Sequence, residues 1–268
     1  MYTWEDFKEE YSEEEFEKRN RIIEDKAKEK SQLKRYRDLA FFIHKIEYHF
    51  ARIGDCKSVE IKKIKEEAEE KANELDYHKI KNINEFEEGA LIHLEFDLNK
   101  RIGFSPLCFE FDSFMIDINR LLEFLIKFLA IMLDEKEPKK ISNFFKGFTG
   151  GIERPSNLCK RVMDINADFA VYLASEWNSW IKNEIRKYRT DTLHNSIQII
   201  PEADVHVHWK GGDFPDDPTK IVVENIEFSN LSIKFKDVDI LDYATKIRKN
   251  IELFYQNIFH FISELYME

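Results

Sequence analysis

From Phe109 to Leu133 the apolar positions advance in steps of four and three. Phe111, Met115, Ile118, Leu122, Leu125, Leu129 and Met132 form a heptad-like seam, the spacing with which a helix shows one stripe to its neighbours. Phe114, Leu121 and Phe128 widen that stripe, which predicts a helix central to a bundle rather than half exposed. A second helix is predicted from about Ser156 to Lys187, on Leu158, Val162, Ile165, Phe169, Leu173, Trp177 and Trp180. A third is predicted over 240–266, on Ala244, Ile247, Ile251, Phe254, Ile258, Phe261 and Leu265. Three such helices are enough for a bundle core.

The rest of the chain is patterned differently. Residues 4–75 predict two or three charged helices. The second carries apolar residues on more than one face between Leu33 and Phe50, and the third, from Val59 to Leu75, reads as a solvated helix. Opposite charges four apart, such as Lys62 and Glu66, add roughly a few tenths of a kcal/mol each. Glycine and proline cluster at Gly147–Pro155, at Gly211–Pro218 and around Gly103–Pro106, which marks loops. Over 197–236 the period changes to two: VHVHW, KIVVENIEF and LSIKFK predict a small antiparallel sheet inserted between bundle helices. The expected fold is therefore mainly α. It comprises an up-down helical bundle over 84–268, a β insertion at about 197–236, and a charged helical extension over 1–80.

Composition narrows the function classes. Charged residues make up 35% and hydrophobic ones 43%, which fits neither a membrane-embedded nor a disordered chain. The N-terminal MYTWEDFKEEYSEEE lacks the basic and apolar regions of a signal peptide. Cys56, Cys108 and Cys159 are too few and too scattered for a disulfide framework or a zinc knuckle. These features lead us to expect a cytoplasmic protein with no membrane contact. The net charge of −11 disfavours tight, nonspecific nucleic-acid binding over a broad face, but leaves room for a small basic site.

One segment concentrates candidate chemistry. WIKNEIRKYRTDTLHNSI places Arg189 five positions before His194. Arginine stays charged and grips phosphate through a bidentate fork, while histidine titrates near neutrality and moves protons. Together they suit metal-independent RNA cleavage, in which a base activates the 2′-hydroxyl and a cation stabilises charge at phosphorus. On a regular helix five positions correspond to about 140° of rotation. Such a pair needs a helix end, a second copy across a dimer, or both. A similar spacing recurs at Arg37 and His44 within an apolar helical run, where a bundle pattern is the simpler reading.

The segment resembles the Arg-x(4–6)-His motif of the HEPN superfamily (higher eukaryotes and prokaryotes nucleotide-binding). FEFDSFMIDINRLLEFLIKFLAIML is similar to that family's long early helix, WNSWIKNEIRKYRTDTLHN to its motif-bearing region, and DILDYATKIRKNIELFYQNIFHFISEL to its closing helix. The resemblance covers about 84–268. It implies a homodimer with Arg189 and His194 as the functional pair of a composite RNA-cleaving site, in a toxin- or defence-type effector that uses no cofactor. Thr190 stands where the family often has Asn, Asp or His directly after the arginine.

Lys182, Arg186 and Lys187 extend the basic cluster, and Thr190, Asp191 and Asn195 are further candidates for contact with RNA. Other readings stay open. The bundle can instead be a non-catalytic dimerisation module whose acidic N-terminal helices engage a protein partner. His206 and His208 share a strand face and could meet a metal, but no third ligand is identifiable, so no metal site is expected. Trp177 and Trp180 could stack on bases, but core packing is the stronger expectation.

Overall fold

The computed structural model describes residues 12–73, 90–95, 105–151, 155–194, 199–211 and 221–267. The chain is mainly α-helical with a small antiparallel sheet, the fold class that the patterning predicts. Its helices are α1 (Glu13–Glu29), α2 (Leu33–Asn73), α3 (Pro106–Met132), α4 (Ile141–Phe148), α5 (Asn157–Ile165), α6 (Ala167–Glu176), α7 (Lys187–His194) and α8 (Ile240–Glu264). A π-helical segment, Trp177–Arg186, joins α6 to α7. Strands β1 (Ala90–Glu95), β2 (Ile199–Gly211), β3 (Ile221–Phe235) and β4 (Val238–Asp239) pair antiparallel in that order.

The chain packs as two compact units. One comprises Met1–Phe50, Phe111–Ser196 and Thr245–Glu268; the other comprises Ala51–Glu110 and Ile197–Ala244. The expected boundary between an extension ending at 80 and a bundle starting at 84 lies outside the described residues.

In the first unit the α3 seam is the core. Phe111, Phe114, Met115, Ile118, Leu121, Leu122, Leu125, Phe128, Leu129 and Met132 are all at most 1% exposed, each burial worth about 1.5–3 kcal/mol. Ile247, Ile251, Phe254, Ile258 and Phe261 from α8 are buried as well, and Phe169 stacks on Phe261 with ring centres 4.1 Å apart. Helix α1 is tied into this unit. Arg19 is 4% exposed; it donates to Ser263 Oγ at 2.9 Å and pairs with Glu264 at 2.5 Å and Glu15 at 2.8 Å. A buried guanidinium is tolerated only when paired in this way.

Two predicted elements differ in detail. The helix expected from Ser156 to Lys187 breaks at Asn166, whose extended backbone (φ −152°, ψ 105°) ends α5. Its side chain then accepts from the Phe169 N–H at 2.9 Å and caps α6, a role in which asparagine outcompetes helix continuation. Conversely, the second and third N-terminal helices are one, the 41-residue α2. Gly54 is carried inside it at a cost of about 1 kcal/mol relative to alanine, and the Ser58 hydroxyl donates back to its carbonyl at 3.0 Å.

The second unit holds the sheet. The alternating runs at 221–228 and 231–235 are halves of the single strand β3, and β1, not anticipated from the sequence, pairs with β2 from Ala90↔Val207 to Glu95↔Glu202. Pro201 falls one position beyond that register, where a missing N–H costs no bond to β1. Lys236 and Asp237 link β3 to β4 with φ of 50° and 62°, the double positive φ that a type I′ hairpin requires. Asp239 closes the hairpin and starts α8: it accepts from the Leu241 N–H at 2.9 Å and from Lys57 at 2.6 and 2.7 Å. Cys56, Cys108 and Cys159 are free thiols. Among the described residues no helix is long and apolar enough to cross a membrane.

Candidate functional site

The site is built where the π-helical segment meets α3. Trp177, Trp180, Ile181 and Ile185 are buried and anchor the segment in the core. Trp177 stacks on Phe145 at 5.1 Å, and the Trp180 indole donates to Glu176 Oε2 at 2.6 Å. Both tryptophans are therefore core residues. The Asn183 side-chain amide donates to the Asn178 carbonyl at 3.2 Å within this π-helical segment; such wide turns are rare and recur at functional sites. Burial pushes the Glu176 carboxyl above the ordinary carboxylate range, and the Trp180 bond opposes that shift.

Tyr188 fixes the end of the segment. It is 5% exposed, packs edge-on against Phe111 at 5.8 Å and donates to Asp112 Oδ1 at 3.1 Å. The next residue, Arg189, therefore stands over α3, exposed, with Nη1 donating to Glu123 Oε1 at 3.2 Å. Arg186 reaches the same oxygen at 3.4 Å and Asn119 Oδ1 at 3.1 Å, and the Asn119 amide donates to Glu123 at 3.3 Å. Two guanidiniums thus share one carboxylate oxygen and retain net positive charge. Arg189 borders a groove of about 410 Å³, lined on α3 by Met115, Asn119, Arg120 and Glu123 and closed by Tyr188. Arg120 adds a third guanidinium. It pairs at 3.1 Å with Asp117, which is 2% exposed and also meets Lys45 at 2.8 Å and His49 at 3.5 Å.

The other sequence candidates are placed as follows. Thr190 directs its hydroxyl into its own helix, donating to the Arg186 carbonyl at 3.0 Å. Lys182 and Lys187 are exposed and do not line the groove. His194 and Asp191 belong to α7, but their side chains, like Asn195 as a whole, lie outside what is described. Within α7 the five positions from Arg189 to His194 amount to about 140° of rotation and a rise of about 7.5 Å. Arg37 and His44 are both exposed on α2. His208 stands 3.9 Å from Glu227 on β3, and no three His, Cys, Asp or Glu side chains group as a metal site among the described residues.

Asp112, Asn119, Arg120, Glu123 and Tyr188 were not among the sequence candidates. Asn119 and Glu123 stand at i,i+4 among several polar residues of α3, with Asp112, Asp117, Arg120 and Lys127 also on it, so no local spacing singled them out. Comparison with protein-family models, curated proteins and solved structures found no match, so the reading of the site rests on its own chemistry.

Proposed function

We propose that the chain is a metal-independent, HEPN-type endoribonuclease that acts as a homodimer on the α3 groove. The observation that carries this reading is Arg189 at the groove wall, beside Arg186 and Arg120, in the same helix as His194. The exposed pair of Arg189 with Glu123 is worth about 0–1 kcal/mol, so a phosphate can compete for the guanidinium. In the proposed reaction His194 takes the proton from the 2′-hydroxyl as its oxygen bonds to phosphorus, and Arg189 stabilises the charge that develops there. The P–O5′ bond breaks, the 5′-oxygen leaving with a proton from solvent and a 2′,3′-cyclic phosphate remaining. The angular separation of the two residues favours a composite site, with Arg189 from one copy and His194 from the other.

The test is cleavage of a mixed RNA pool by purified dimer in the presence of EDTA. Arg189→Ala and His194→Ala should each lower the rate about a hundredfold or more while circular dichroism stays unchanged. A second reading, a non-catalytic interaction module, is favoured by the net charge of −11 and by the engagement of both arginines by Glu123. Intact RNA after prolonged incubation with dimer would decide for the second reading.

A further inference from the structure

A cavity of about 400 Å³ lies between α1, α2 and α8 and shares no lining residue with the α3 groove. That volume is at the small end of ligand pockets, about 300–1,000 Å³. Its walls are apolar, with Ile43, Leu121 and Ile251 among them. Two aromatic rings, Phe16 and Tyr255, meet edge-on in its lining with centres 5.9 Å apart and planes at 64°.

The polar groups in this lining include two acceptors left without a partner. Asn20 Oδ1 and Gln256 Oε1 are buried and have no hydrogen-bond partner among the described residues, an arrangement that costs about 1–3 kcal/mol for each such group. Two carboxylates, Glu47 and Glu252, line the cavity beside the His44 ring and one guanidinium cation, Arg248. That cation is already engaged: Arg248 Nε donates to Glu47 at 2.7 Å, and its guanidinium stands 4.9 Å over the Phe50 ring. What remains on offer is a carboxylate, the His44 imidazole, amide oxygens and aromatic faces. A ligand anion would meet net negative charge here. A ligand cation would meet acceptors and π-systems.

We infer that this cavity binds a small organic cation, an apolar or aromatic body that carries a protonated amine. The ammonium donates to the Asn20 and Gln256 oxygens under the field of Glu252, while the body fills the space between the isoleucines and the rings. This inference stands apart from the RNA reading, because the two sites share no residue.

The probes are 2-phenylethylamine, 2-phenylethanol and phenylacetate, titrated calorimetrically into the full chain at low ionic strength. The amine should bind about tenfold more tightly than the alcohol, and the acid should not bind. Glu252→Gln, a change at an exposed position, should leave the melting temperature unchanged and cut the preference for amine over alcohol about two- to fivefold. Ile43→Trp, which fills the cavity, should abolish binding of both. The inference is overturned by no heat of binding with the amine at millimolar concentration. Equal affinity for amine and alcohol, or acid binding as tight as the amine, would overturn it too. So would amine binding that neither variant changes.

Discussion

Glu176 sits at the junction of α6 and the π-helical segment, its carboxylate under the Trp180 indole. Burial is the larger influence on it and favours the protonated form. A carboxyl whose folded pKa is raised contributes stability that is fully present below its ordinary value, about 4.3. That contribution is lost as pH rises through the folded value. Glu176→Gln keeps an acceptor for the indole without the ionisation, so melting temperatures followed from pH 4 to 8 should fall less in the variant than in the parent. Gly147 makes a different kind of residue-scale demand. A Cβ there would meet Cys159 Sγ at 2.5 Å and Cys159 Cβ at 3.2 Å, and the thiol cannot turn aside without losing its bond to the Phe144 carbonyl at 3.0 Å. Gly147→Ala should cost about 1–3 kcal/mol in urea unfolding, and Cys159→Ala should recover part of that loss. At this scale the sequence showed Arg189 but not its partner. Glu123 lies 66 positions away, and no local spacing links the two.

Elements were legible wherever one periodicity ran unbroken. The α3 and α8 seams are of that kind, because their buried stripes continue for six turns or so without an interruption. Asn166 was not legible because its neighbours Ile165 and Phe169 keep the helical spacing across the break; only the cap geometry shows that the chain turns there. Asn166→Ala removes that cap and should destabilise the protein by about 1 kcal/mol, measurable as a shift of the urea midpoint with no change in slope. β1 was missed for a related reason. ALIHLE is six residues of mixed apolar and polar character, too short to be assigned by period alone and dependent on β2 for its pairing.

On the scale of the whole molecule, each unit is assembled from segments distant in sequence. Arg19 meets Ser263 and Glu264 across 244 and 245 positions, so nothing in the local composition announces that α1 packs with the end of α8. The charge balance sets the other whole-molecule property. With a net charge of −11, the chain as a whole disfavours RNA, and on the proposed function the guanidiniums of the α3 groove carry the contact. Anisotropy titrations of RNA into the His194→Ala variant between about 50 and 300 mM salt should give a log–log slope of magnitude about 2 or less, as expected for two or three phosphates on a single strand. A slope several times steeper would place the RNA on some other surface.

The ten-residue π-helix has a consequence for how the chain tolerates insertion and deletion. A wide turn stores an extra residue relative to an α-turn, so the segment carries slack. Deleting one residue between Asn178 and Glu184 can be absorbed by converting a turn to α geometry, leaving Tyr188 on Asp112 and Arg189 on Glu123. The same deletion in the middle of α8 has nowhere to go and swings every later core position by about 100°. A deletion scan read by soluble expression should therefore find one permissive window, immediately ahead of the arginine pair, between helices that admit none.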